Sequence, residues 1–231
     1  MARQARTAAT PAEARKRGPR PGLSREAIAG AGLELVDEEG LEALTMQRLA
    51  EHLGVGTMTL YGYFRSKSEL LDAITDAAVG DRRPAAHTGG WREQLRALVM
   101  AAHENLVRHP ALVALRLRGP VLRPEALRFG EAILGILHDA GFEPPDAARS
   151  FRLVFTYVLG YAALSPAGTS EEQRREAAAA IALLPADEYP NFKRAGDEAS
   201  RAMAGAEAFE FGLDRLLDGL ESYLASGETS R

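Results

Sequence analysis

Residues 45–64, TMQRLAEHLGVGTMTLYGYF, decide how the rest of this chain is read. Met46, Leu49, Ala50 and Leu53 recur at helical spacing behind Thr45, whose hydroxyl can accept from the amides of a first helical turn. Gly54 supplies a stop, Val55 leads out of it, and a further helix is expected from about Thr57 to Phe64. Two helices around a short glycine turn, the second rich in small hydroxyls, make a helix-turn-helix pattern. A plain helical hairpin shares that turn, so the weight falls on the exposed side chains. With Leu60 and Phe64 facing inward, Thr57, Met58, Thr59, Tyr61 and Tyr63 are left on the N-terminal and outer faces. Threonine hydroxyls and methyls suit phosphates, base edges and thymine methyls, and tyrosine hydroxyls suit phosphates. Arg65 and Lys67 follow directly, placed for a phosphate backbone. Gly62 is a weak helix former with no reason visible in the sequence.

Upstream, Ser24 can cap a helix carrying Ile28, Ala31 and Leu35, which Gly40 ends; Leu41 and Leu44 cover the connection to Thr45. Residues 1–22 hold Pro11, Pro19, Pro21, Gly18 and Gly22 with almost nothing to bury, and are expected to be a disordered basic arm. Residues 1–25 carry seven Arg/Lys against one acid, Glu13, whereas the chain after residue 83 carries sixteen basic and twenty acidic residues. The net charge of −4 therefore hides a basic arm on an acidic body. KRGPR in that arm has the cations of a minor-groove contact, although a solvated charged tail has the same composition.

Composition sets wider bounds. With 46% hydrophobic and 26% charged residues, 231 residues suffice for a packed, soluble, all-α protein rich in alanine. The absence of cysteine excludes disulfides and thiolate metal sites. No apolar run reaches the roughly 18–20 residues of a membrane span, and no apolar core follows the basic N-terminus as in a secretory signal. A cytoplasmic protein without a membrane partner is expected. No enzyme is expected either. The histidines His52, His87, His103, His109 and His138 are scattered, and no HExxH, GxSxG or phosphate-loop pattern occurs. GVGTMTL offers too few glycines for a dinucleotide loop and follows a helix rather than a strand. The acid run Asp37, Glu38, Glu39 reads as a solvated face. The rival to a DNA regulator is a helical interaction or ligand-binding module without specific DNA binding.

TMQRLAEHLGVGTMTLYGYFRSKSELLDAI resembles the DNA-binding module of the TetR family of bacterial transcriptional regulators. The landmarks are the LxxxLGV turn, the TLYxxF segment and the S-K-x-E-L-L start of the next helix, within about residues 24–79. GLDRLLDGLE near the C-terminus is similar to the subgroup nearest the tetracycline repressors. The resemblance implies that Thr45 meets a phosphate and that Gln47 and Arg48 reach DNA just after it. It places Thr57, Met58, Thr59, Tyr61 and Tyr63 at the major groove or its walls, and Lys67 on the backbone. Thr59, Tyr61 and Lys67 are the family-like members of that set. Gln47, Thr57, Met58 and Tyr63 would carry this protein's own operator preference.

The expected domains are the arm at 1–22, a helix-turn-helix at 23–66, and a linker helix plus regulatory and dimerisation body at 67–231. Residues 80–90 read as a loop, and DEYPNFKRAGDE as a mobile loop or lid. ARSFRLVFTYVLGYAAL is apolar on most of its surface, as is the last long helix, so each should be buried on two sides. A homodimer interface is expected there, drawing on Tyr157, Leu164, Phe209, Leu213, Leu216 and Leu220; two recognition helices also need a two-fold to reach paired half-sites. Met100, His103, Asn105, Arg116, Leu117, Phe129, Phe151, Phe155 and Tyr161 are the candidate lining of an effector pocket, any of which could equally be plain core. Where tetracycline repressors carry the histidines that coordinate the drug's magnesium, this chain has Arg83 and Arg116, a departure from metal–tetracycline recognition. No cofactor or metal is expected, only a small-molecule effector of unknown identity. The resemblance implies a ligand-responsive repressor that releases its operator when that effector binds.

Overall fold

The first helix of the chain's N-terminal head, α1 (Arg25–Glu39), starts where Ser24 accepts from the Ala27 amide at 3.0 Å and stops at Gly40, whose φ of 87° is left-handed. The computed structural model describes residues 23–79, 89–118, 124–164, 171–203 and 206–227. A short 3₁₀ turn (Leu41–Ala43) leads to α2 (Met46–His52), capped by Thr45 Oγ1 accepting from the Arg48 amide at 3.0 Å. At its end, Gly54 takes a φ of 62° while its amide reaches the Glu51 carbonyl and the Val55 amide the Ala50 carbonyl. These paired bonds satisfy the last carbonyls of α2 and turn the chain sharply. The next helix, α3 (Thr57–Tyr61), is shorter than its sequence suggests. A Cβ at Gly62 would lie 3.1 Å from the Thr59 carbonyl, which gives that glycine its packing reason.

The head closes with α4 (Lys67–Val79), whose start is held by Ser66 Oγ accepting from the Glu69 amide at 3.2 Å. Ile28, Leu35, Leu44, Leu49, Leu60, Phe64, Leu70 and Ile74 are all fully buried and make one core between α1, α2, α3 and α4. A Cβ on Gly32 would fall 2.6 Å from Ile74 Cδ1, so α1 and α4 approach as closely as a glycine allows.

The body comprises α5 (Trp91–Arg108), α6 (Ala111–Arg118), α7 (Pro124–Asp139), α8 (Pro144–Leu164), α9 (Glu171–Leu183), α10 (Pro190–Ala195), α11 (Asp197–Met203) and α12 (Ala206–Ala225). α5, α7, α8 and α12 pack around Leu95, Val99, Leu106, Ile133, Leu137, Val154, Val158, Phe209, Leu213 and Leu217. Two arginines on α5 fix α12 against it: Arg92 pairs with Asp218 at 2.5 Å and Glu221 at 3.3 Å, and Arg96 with Glu210 at 2.7 Å and Asp214 at 3.2 Å. The stretch expected as a loop or lid around residues 187–198 contains the helices α10 and α11, which pack on α9. Pro190 explains the first of these, since a proline at a helix start loses no hydrogen bond. The basic arm at 1–22 and nearly all of the loop at 80–90 fall outside the described residues.

α4 joins head to body, packing on α1 from one side and on α5, α6 and α7 from the other. One ion pair and one histidine–carboxylate hydrogen bond cross the same divide. Asp76 of α4 meets Arg128 of α7, and Asp37 of α1 meets His109, just beyond α5, at 2.7 Å. The acid run of α1 is therefore engaged rather than merely solvated, since Glu39 also takes the Arg48 guanidinium. Among the described residues, no helix is long and apolar enough to cross a membrane.

Candidate nucleic-acid interface

The face of α2 and α3 turned away from the head core is built by alternation. Leu60 is fully buried, and its neighbours on α3 are pushed outward in turn: Met58 is 81% exposed, Tyr61 46% exposed, and Thr57 and Thr59 half-buried. A thioether chain standing this far into solvent beside threonine hydroxyls offers apolar contact and hydrogen bonding side by side. On α2, Thr45 and Gln47 are exposed, and Gln47 Nε2 donates to Glu51 at 3.1 Å. Arg65 and Lys67 project from the junction between α3 and α4, and none of the head's ion pairs among described residues engages them.

Two expected contact residues are committed elsewhere in the head. Arg48 lays its guanidinium on Glu39, which holds the Glu39 carboxyl below its usual range, and lies 4.0 Å from Glu51. To reach DNA it must exchange those partners. Tyr63 is half-buried, and its hydroxyl donates to the Leu23 carbonyl at 3.0 Å, so the expectation of a groove-facing hydroxyl is corrected. The cause is a clasp at the start of α1. Arg25 donates to the Tyr63 carbonyl, pairs with Glu69 at 2.9 Å and lies 4.3 Å above the Phe64 ring centroid. Glu69 also accepts from the Arg65 amide at 2.7 Å, and this bond, followed by that from Arg25, lowers its pKa.

Within the body, the expected pocket residues fall in different settings. His103 is stacked on Phe209 with centroids 3.7 Å apart and meets Tyr161 edge-on at 5.7 Å. Burial lowers the His103 pKa, with the Glu104 carboxylate acting in the opposite sense. A second group lies between α7 and α8, where Phe151 sits 5.9 Å from Phe155 and a Cβ on Gly130 would lie 3.1 Å from the Phe151 ring. Met100 and Phe129 pack against the same core, half-buried. Asn105 is buried on α5, and Arg116 is half-buried with its Nε shielded from solvent. Leu117 is corrected: at 60% exposed, it faces outward. Arg83 lies outside the described residues.

The expected dimer residues are largely reassigned. Phe209 and Leu213 are fully buried and Leu220 nearly so, all within their own subunit. Tyr157 stacks on Phe209 at 5.1 Å and donates to its carbonyl at 2.7 Å. Its pKa is pushed up to about 12, first by burial and then by Tyr161. Leu216 is half-buried. What remains open is the opposite face: Leu164 at 85% and Leu153 at 51% exposed on α8, and Phe211 at 68% on α12. The expected interface set leaves out Phe211, although the helical period already separates it from Phe209. Residues two apart on a helix lie on nearly opposite sides, so Phe209 and Phe211 cannot both be core.

Comparison with known proteins now decides the lineage. Residues 28–74 match the bacterial regulatory proteins of the tetR family, and residues 83–224 the tetracyclin repressor-like C-terminal domain. The chain belongs to the TetR family. It is 32% identical over 225 residues to the HTH-type transcriptional repressor DrrR1 of Streptomyces coeruleorubidus, covering 90% of this chain and 81% of that protein. Among solved structures it is similar to SCO7222, a TetR from Streptomyces coelicolor, with 28% identity, a TM-score of 0.75, and coverage of 87% of this chain and 98% of that one. A TetR variant from Acinetobacter baumannii AYE in complex with minocycline is 26% identical with a TM-score of 0.60, covering 87% and 98%. The all-α protein described here is accordingly a TetR-family DNA-binding transcriptional regulator with a helix-turn-helix head.

Proposed function

We propose that this TetR-family protein is a homodimeric repressor that releases its operator when an organic small molecule enters its body. The observation that carries the DNA reading is the outer face of α3, where Met58 stands 81% exposed beside Thr57, Thr59 and Tyr61 while Leu60 is locked in the core. Thr45, Thr59, Tyr61, Arg65 and Lys67 hold phosphates and set register; Gln47, Thr57 and Met58 read base edges; Arg48 joins them by leaving Glu39. The exposed stripe of Leu153, Leu164 and Phe211 meets its symmetry mate, which sets two recognition helices about one helical turn of DNA apart.

Effector control follows from the packing of α4 on both head and body. The relative that holds minocycline supports a body able to admit an organic molecule. In this chain the aromatic groups at His103, Tyr161 and Phe209 and at Phe151 and Phe155 are its candidate walls. An effector must bind one setting of the body better than the other, because equal binding shifts nothing. Fluorescence anisotropy on a duplex from upstream of the protein's own gene, across a salt series, tests the reading. Expected is preference for that duplex over random DNA at physiological salt, with affinity falling steeply as salt rises. Equal affinity for both duplexes would return the helical module without specific DNA binding.

A further inference from the structure

The head has few cations to offer a phosphate backbone. Residues 23–79 carry four basic side chains, Arg25, Arg48, Arg65 and Lys67, against ten acids. Arg25 is tied to Glu69 and to the Tyr63 carbonyl, and Arg65 and Lys67 stand at the junction of α3 and α4. Of the four, only Arg48 lies in α2, one residue after exposed Gln47 and three after exposed Thr45. What holds its guanidinium therefore bears directly on how strongly the head grips DNA.

Two acids flank that guanidinium, and one of them holds it. Glu39 uses both carboxylate oxygens: Arg48 Nε donates to Oε2 at 3.0 Å and Nη2 to Oε1. Glu51 stands off at 4.0 Å and accepts instead from Gln47 Nε2 at 3.1 Å. The backbone puts Glu39 in place. It is the last residue of α1, and the left-handed Gly40 after it turns the chain so that α1 and α2 pack together. The guanidinium fork fits a phosphate as well as it fits a carboxylate, and the same two N–H groups cannot serve both.

We propose that Glu39 acts through Arg48 as a positioning residue that competes with DNA: its carboxylate occupies the Arg48 guanidinium in the free protein, gives it up to a phosphate on docking, and thereby limits the affinity of the head. The proposal rests on the DNA-binding reading above but not on its sequence specificity, since phosphates are common to all duplexes. An exposed ion pair shifts an equilibrium by up to about fivefold, which bounds the effect.

A two-by-two cycle in the full chain tests this, with Glu39→Gln and Arg48→Ala made singly and together. Glu38→Gln, one residue away, controls for the loss of a negative charge. Each protein is titrated by fluorescence anisotropy on the upstream duplex and on random duplex, after thermal melting has confirmed that it folds. On the upstream duplex E39Q is expected to tighten binding about three- to fivefold and E38Q by less than about twofold. A smaller gain from E39Q is expected on random duplex. The double variant should agree with R48A within about twofold, because no guanidinium is left to release. A purely structural role for Glu39 could not tighten binding. Equal gain from E39Q with and without Arg48, or equal gain from E38Q, would overturn the proposal, since charge removal alone would then account for it. Unchanged or weaker binding by E39Q would overturn it too, because Glu39 would then support Arg48 on DNA rather than compete for it. A wild-type chain that bound both duplexes alike would refute sequence-specific regulation, while the cycle on random duplex would still decide the role of Glu39. Binding to neither duplex would refute the DNA reading and this proposal together.

Discussion

The head and the body solve opposite packing problems. In the head, short helices each bury one stripe, every turn is capped by a side chain or a glycine, and the functional groups stand on the outside of a finished core. In the body, the long helices α8 and α12 carry more apolar surface than one core accepts. Their inner faces hold aromatic and polar groups together, and their outer faces leave Leu153, Leu164 and Phe211 in solvent. Function on the head depends on what projects. Function in the body depends on which way each helix is turned, because the same side chain is pocket wall in one rotation and interface in another.

That contrast can be broken most directly at the outer face of the body. Phe211→Glu should raise the dimer dissociation constant at least about 100-fold, roughly 2.8 kcal/mol, by placing a carboxylate in an apolar contact. Sedimentation equilibrium reads this, and operator binding should fail in parallel; a dimer unaffected by the change would place the two-fold elsewhere.

On the head, Met58→Ala should shift preference among operator variants by about 1–3 kcal/mol per affected base pair. Lys67→Ala should instead weaken binding alike on all of them and lower the salt slope by about one. Identical behaviour of the two in a variant-operator titration would erase the division between reading and positioning.

Inside the body, Gly212→Ala puts a Cβ within 3.0 Å of Tyr157 Cζ and against its hydroxyl. The ring must move and its bond to the Phe209 carbonyl is lost, an overpacking cost of about 1–3 kcal/mol. Thermal unfolding checks this, with recovery expected in Gly212→Ala/Tyr157→Phe, which removes the hydroxyl.

The smallest effect concerns His103, whose native pKa lies below that of the unfolded chain because burial disfavours the cation. The unfolded state then binds more protons below about pH 6.5, so this contribution is complete above that pH and is lost as pH falls through the depressed native value. Melting curves between pH 7 and pH 5 should decline less for His103→Phe than for wild type. Parallel curves would mean that His103 does not titrate on unfolding.

The turn at Gly54, the caps at Ser24 and Thr45, the inward Leu60 and Phe64 and the outward Met58 and Tyr61 were all legible in the sequence. Each depends on neighbours within one or two helical turns, where backbone preference and helical period act. So was the existence of two doubly apolar helices in the body. The partners across the fold were not legible. Nothing near Tyr63 in the chain announces the Leu23 carbonyl forty residues upstream, and nothing near Asp37 announces His109. The period of α12 separates Phe209 from Phe211 but cannot say which is core. That is decided by the core with α5 and α8, which takes in Phe209, Leu213 and Leu217, while Arg92 and Arg96 of α5 pair with four acids of α12 around it. Local physics thus determined the helices and the docking surface of the head. The assignment of inside and outside in the body, and the clasp that ties Tyr63 to Leu23 and Arg25, required side chains far apart in sequence to meet.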